Sequence, residues 1–99
     1  MVSLHAFVLA AALAGNGDLV LLDFSAQWCA PCRSMEPTMQ RLAQAGYPVR
    51  RVDVEADRDL ARRFNIGPIP CFVLLKDGRE VQRIVGATSY EQLAQLFQQ

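Results

Sequence analysis

Apolar positions along the chain fall into short blocks set off by turn-forming residues. Leu19 to Phe24 reads L-V-L-L-D-F behind Gly15-Asn16-Gly17-Asp18, which predicts a central strand covered on both faces, with Asp23 its one polar interruption. From Cys29 to Ala45, Met35, Met39 and Leu42 recur near helical spacing, with Pro31 early and Gly46 as a stop. Pro37 lies inside that pattern and predicts a kink. Val49 to Val54 (V-R-R-V-D-V) is a rough strand, and Asp57 then caps a short helix carrying Leu60, Ala61 and Phe64. Asn65 to Pro70, with Gly67, Pro68 and Pro70, is a loop. Cys71 to Leu75 and Glu80 to Val85 flank Lys76-Asp77-Gly78-Arg79, whose Asp-Gly step marks a hairpin. A last helix starts at Ser89 and presents Leu93, Leu96 and Phe97 on one face.

With Ala6 to Ala14 taken as a buried first helix, the order is helix, strand, helix, strand, helix, strand, strand, helix. Alternation in the first half implies a parallel pair with crossover connections, and the closing hairpin is antiparallel. The fold class is therefore α/β: a mixed sheet with helices on both faces. The segment A-F-V-L-A-A-A-L-A also resembles a signal-peptide core with its cleavage site, although no Lys or Arg precedes it. An export signal or a truncation scar is the alternative reading of that segment.

Length and composition narrow the classes. The chain has 99 residues, enough for one domain, so 1–99 reads as a single unit. Its 52% hydrophobic and 20% charged residues are ordinary for a globular protein. Ten basic residues balance ten acidic ones, which argues against a nucleic-acid partner. No apolar stretch reaches the length needed to span a bilayer, which argues against an integral membrane protein, and no membrane partner is expected. Three cysteines, Cys29, Cys32 and Cys71, are an odd count that does not suit a pure disulfide scaffold.

The segment Asp23 to Arg33, D-F-S-A-Q-W-C-A-P-C-R, concentrates the chemistry. A strand-turn-helix placement puts Cys29 at a helix N-terminus, where unpaired N–H groups favour the thiolate. Cys32 lies one turn on, near enough to close a small ring with Cys29 and more shielded inside the helix. Attack by Cys29 on a disulfide followed by resolution through Cys32 is a two-electron exchange. Pro31 stiffens the turn between them. Trp28 offers an apolar wall beside Cys29 or, alternatively, an ordinary packed aromatic. Asp23, a carboxyl in an apolar strand, is expected to have a raised pKa and to accept the Cys32 proton, unless it turns outward at the strand end.

These residues resemble the thioredoxin family. The likeness runs from about Phe7 to Phe97 and includes V-D-V-E at Val52 to Glu55, F-N-I-G-P-I-P at Phe64 to Pro70, K-D-G-R-E at Lys76 to Glu80, and V-G-A at Val85 to Ala87. It implies a thioredoxin fold of four or five strands and four helices, lacking the family's first strand. By the same resemblance Cys29 attacks, Cys32 resolves, Asp23 is the buried acid, and Pro70 is a cis-proline facing the disulfide. Ile69 then offers its backbone to an extended substrate segment, and Trp28, Ala30, Pro31, Gly67, Ile69, Pro70 and Gly86 form the docking surface. Arg51 takes the place where thioredoxins often carry a lysine near the acid. The implied function is protein-disulfide reduction by a cytoplasmic monomer, recharged by a thioredoxin reductase, with no cofactor beyond the redox-active disulfide.

Ala30 departs from the family's usual glycine, and Cys71 follows Pro70 where threonine is common. Cys71 is read as a small buried hydrophobe, with a third redox thiol as the sharper alternative. A zinc site of Cys29, Cys32, Cys71 and His5 lacks a second paired motif, so no metal is expected. A non-enzymatic interaction module and an exported oxidase, isomerase or maturation reductase are the other classes.

Overall fold

The computed structural model describes residues 18–99. The apolar segment Ala6 to Ala14 and His5 lie outside the described residues, and with them the first-helix, export and fourth-ligand readings. The rest runs β1 (Leu19–Ser25), α1 (Ala30–Ser34), α2 (Glu36–Gln44), β2 (Val49–Asp53), α3 (Arg58–Arg63), β3 (Cys71–Lys76), β4 (Arg79–Val85) and α4 (Tyr90–Leu96).

The four described strands form one sheet in the order β2-β1-β3-β4. β1 pairs with β2 in parallel and with β3 antiparallel, and β3 with β4 antiparallel, so the sheet is mixed as expected. The near-continuous apolar runs of β1 and β3 are explained by their central positions. Alternate side chains serve two cores. Val20, Leu22, Phe24, Cys71, Val73 and Leu75 pack on one face with Leu60 of α3. Leu21, Phe72 and Leu74 pack on the other with Met35, with Leu42 of α2 and with Leu93 and Leu96 of α4.

Local chemistry sets the boundaries. The single kinked helix expected over Cys29 to Ala45 is two helices, α1 and α2, meeting at Met35, because Pro37 in the first turn of α2 has no N–H to continue the ladder. After α2, Gly46 at φ 95° closes a Schellman motif, with Gly46 N–H donating to Ala43 O and Tyr47 N–H to Leu42 O, both at 3.0 Å. Asp57 and Ser89 cap α3 and α4 by accepting from the backbone N–H groups of Leu60 and Gln92. The hairpin turns through Asp77 and Gly78, at φ 52° and 83°, the two left-handed positions of a type I′ turn.

β4 is an edge strand. Its register shifts between Leu74 and Leu75, leaving Val81 as a bulge, a device that discourages edge pairing. Arg83 anchors this edge. Its guanidinium grips Glu80 through two contacts of 2.6 and 2.7 Å and donates to the Phe64 carbonyl at 2.7 Å, tying β4 to the end of α3. Arg83→Met should lower unfolding stability by about 1 kcal/mol in denaturant titration, since the pair is partly exposed but the Phe64 carbonyl loses its donor. An unchanged midpoint would show that the grip contributes nothing.

Candidate active site

The end of β1 and the start of α1 build the site. β1 carries Asp23 and Ser25 on the same side as Leu21 and delivers the chain through Ala26 and Gln27 to Cys29. Cys29 is the N-cap of α1, with extended backbone at φ −87° and ψ 108°. Its Sγ accepts from the Cys32 N–H at 3.2 Å, so a helix-start donor already points at the sulfur that is expected to carry negative charge on reduction. Pro31 sits in the first turn, where a missing N–H costs no helical hydrogen bond.

Cys29 and Cys32 form a disulfide with their Cα atoms 5.2 Å apart. Cys32 was expected to be the more shielded, yet each is 4% exposed. The cause is the packing of both against Ala26, Val54 and Ile69 in a small core of their own. The Ile69–Pro70 bond is cis. It sets the Ile69 carbonyl 3.9 Å from Cys29 Sγ, while the Pro70 carbonyl is taken by the Gly86 N–H at 2.7 Å.

Around the disulfide, Trp28 is 64% exposed, which rules out the packed-core reading. Its indole N–H donates to Glu55 at 3.0 Å, fixing the ring while leaving its faces open. Ala30, Pro31 and Gly67 are exposed, and Ile69 and Gly86 half-buried. Arg33 donates to the Gln27 carbonyl at 2.7 Å and so braces the turn before Cys29.

Asp23 is 7% exposed, so it does not turn outward. Burial pushes its pKa up to about 6, with the Arg51 guanidinium pulling it down and the Glu36 carboxylate pushing it further up. Its Oδ1 has no hydrogen-bond partner among the described residues. A pocket of about 210 Å³ between α2 and β2 is lined by Asp23, Glu36, Met39, Arg50 and Arg51. Arg51 lies beside Asp23 in the strand register but donates elsewhere, to Ser25 Oγ at 3.1 Å and to Glu36 at 3.4 Å.

Cys71 is not gathered with the pair. It is 1% exposed in the core that holds Phe24 and Val73, and burial pushes its thiol pKa up against the opposing Arg83. The described residues contain no group of three His, Cys, Asp or Glu side chains fit to hold a metal ion. None of their helices is long and apolar enough to cross a membrane. Glu36, Glu55 and Arg33 were not singled out from the sequence. Arg33 carried a signal as the residue directly after Cys32, and Glu55 as the last residue of the V-D-V-E motif, but both glutamates reach the site through tertiary contacts that neither position announces.

Residues 3–99 match the family model described as thioredoxin. A thioredoxin H-type protein of Fagopyrum esculentum is 42% identical over 80 residues, 79% of this chain and 69% of that one. A thioredoxin of Chlamydia muridarum is 39% identical over 82 residues, 80% of this chain and 79% of that one. The crystal structure of thioredoxin NaTrxh from Nicotiana alata superposes with a TM-score of 0.83 at 30% identity, covering 99% of this chain and 87% of the other.

Proposed function

Since the chain belongs to the thioredoxin family, and so is a thiol-disulfide oxidoreductase that reduces protein disulfides, we propose how its residues divide that work. The Cys29 thiolate attacks a substrate disulfide, forming a mixed disulfide and releasing one substrate thiolate. Asp23 then takes the proton from the Cys32 thiol. The Cys32 thiolate attacks Cys29 Sγ, which forms the Cys29–Cys32 disulfide and expels the second substrate thiolate. Two electrons pass to the substrate, and the two protons of the dithiol end on its thiols through solvent and Asp23.

The observation that carries this reading is the Cys29–Cys32 disulfide at the start of α1, with the Cys32 N–H on Cys29 Sγ. Trp28, Ala30, Pro31, Gly67, Ile69 and Gly86 are read as the docking surface around it, whereas Pro70, expected there too, is fully buried and contributes through the cis bond that precedes it. The half-buried Ile69 strip is suited to an extended segment of a partner. A carboxyl with a pKa of about 6 is largely ionised at neutral pH yet able to hold a proton, as a general base requires.

We further read the chain as a cytoplasmic monomer that acts on disulfide-containing proteins and is recharged by a thioredoxin reductase. The one domain is its working unit, and Cys71 serves as a packing residue. Its only redox group is the cysteine pair. The test is reduction of insulin coupled to NADPH oxidation through a thioredoxin reductase. Turnover that needs both proteins is expected. Absence of turnover with the reductase, but recovery with dithiothreitol, would replace the donor and keep the exchange chemistry.

A further inference from the structure

Arg51 is the cation nearest to Asp23 by strand register, yet it does not pair with it. Its Nε is occupied by the buried Ser25 hydroxyl, and its Nη1 lies 3.4 Å from Glu36 at the rim of the pocket behind Asp23. Asp23 Oδ1 has no hydrogen-bond partner among the described residues. A guanidinium released from one of these anchors shares its pocket with the Asp23 carboxyl, and a charge-assisted bond to that carboxyl would be strong.

We propose that Glu36 is a positioning residue for the proton step, holding the Arg51 guanidinium at the pocket rim and away from the Asp23 carboxyl. The proposal rests on the reading of Asp23 as the base for Cys32. With Arg51 diverted, Asp23 keeps a proton affinity near working pH. With Arg51 on Oδ1, Asp23 stays ionised over a wider range and becomes a weaker base. The charged groups that share the pocket with Asp23 are Arg50 and Arg51 from β2 and Glu36 from α2. β3 sets only Phe72 beside it, β2 places Asp53 opposite Ser25 at the same end of the sheet, and Cys29 and Cys32, joined as a disulfide, carry no titrating proton. Glu36 and Arg51 are about half exposed, so neither is needed to fill the core.

The experiment follows the Asp23 carboxyl carbon by NMR across pH in the oxidised protein, with Asp23→Asn identifying the resonance. Glu36→Gln should lower the midpoint by about one pH unit, as expected when a carboxylate gains a cationic partner. Arg51→Gln should raise it. In the Arg51→Gln background, Glu36→Gln should then shift the midpoint by much less, because no guanidinium remains to be released. An equal shift in both backgrounds would mean that Glu36 acts by its own field alone, and no shift in either would mean that it does not act; both outcomes overturn the proposal. The titration is read without turnover. Failure of Asp23 as a base therefore appears separately, as an unchanged resolution rate in Asp23→Asn.

Discussion

Cys29→Ser is expected to abolish insulin-disulfide reduction, and Cys32→Ser to accumulate a covalent protein-substrate adduct that a reducing agent releases. The asymmetry follows from where the two sulfurs stand. Cys29 Sγ is the cap acceptor of α1, receiving the Cys32 N–H, so reduction leaves its charge at a helix start. It also lies 3.9 Å from the Ile69 carbonyl, beside the backbone proposed to pair with substrate. Serine at 29 keeps the cap, because a hydroxyl accepts that N–H as well, and so the fold should survive while the nucleophile is lost. Serine at 32 leaves the attack intact and removes the only sulfur one helical turn away. Mass spectrometry of the Cys32→Ser protein after exposure to insulin should find the mixed disulfide on Cys29. Wild-type turnover in Cys29→Ser, or an adduct on Cys71 in its place, would overturn the assignment. Cys71 is buried in a separate core and should stay unmodified in both variants.

Much of this site could be read along the chain because its parts are local. The cysteine pair, Pro31 and Asp23 lie within one strand-turn-helix passage, and short-range chemistry fixed their placement. The caps Asp57 and Ser89 and the Asp-Gly turn were legible for the same reason. What was not legible depends on contacts between segments far apart in sequence. Glu55 reaches Trp28 across 27 positions, and Arg83 ties β4 to Phe64 across 19. Neither leaves a periodic trace. The split of the long helix at Met35 was only half visible: Pro37 announced a break, but the periodicity of Met35, Met39 and Leu42 runs on across it, so a bend and a split read alike. Nor could sequence physics alone have indicated the cis bond before Pro70, since most X-Pro bonds are trans; the family resemblance supplied it. The equal burial of Cys29 and Cys32 was hidden because the neighbours that shield Cys29, Val54 and Ile69, come from other segments.

Asp23→Asn should slow the enzyme and stabilise it at the same time. In its proposed role as the base for Cys32, Asp23 contributes to resolution, and its loss should reduce that rate by about 100-fold, the low end for a positioned acid-base group. The inflection near pH 6 should vanish from the pH profile of the step. The stability effect has the opposite sign. Asp23 titrates at about 6 in the oxidised fold against an ordinary value of 3.8, with desolvation the main cause. The folded state therefore holds the proton more tightly than the unfolded chain does. The stability tied to this group is fully present below about pH 4 and is lost as pH rises through 6. The shift corresponds to about 3 kcal/mol above pH 6. Asparagine carries no charge at any pH, so the variant should lack that loss. Denaturant unfolding of the two oxidised proteins should give a difference near zero at pH 3.8 that grows to about 3 kcal/mol in favour of the variant at pH 7. Subtracting the two curves cancels other carboxyls, among them Glu80, whose pKa is lowered by its bond to Arg83 and whose stabilisation runs the other way. A pH-independent difference would mean that the buried carboxyl is not the group titrating near 6. A normal resolution rate alongside the expected stability curve would leave Asp23 a strained buried acid with no part in the chemistry.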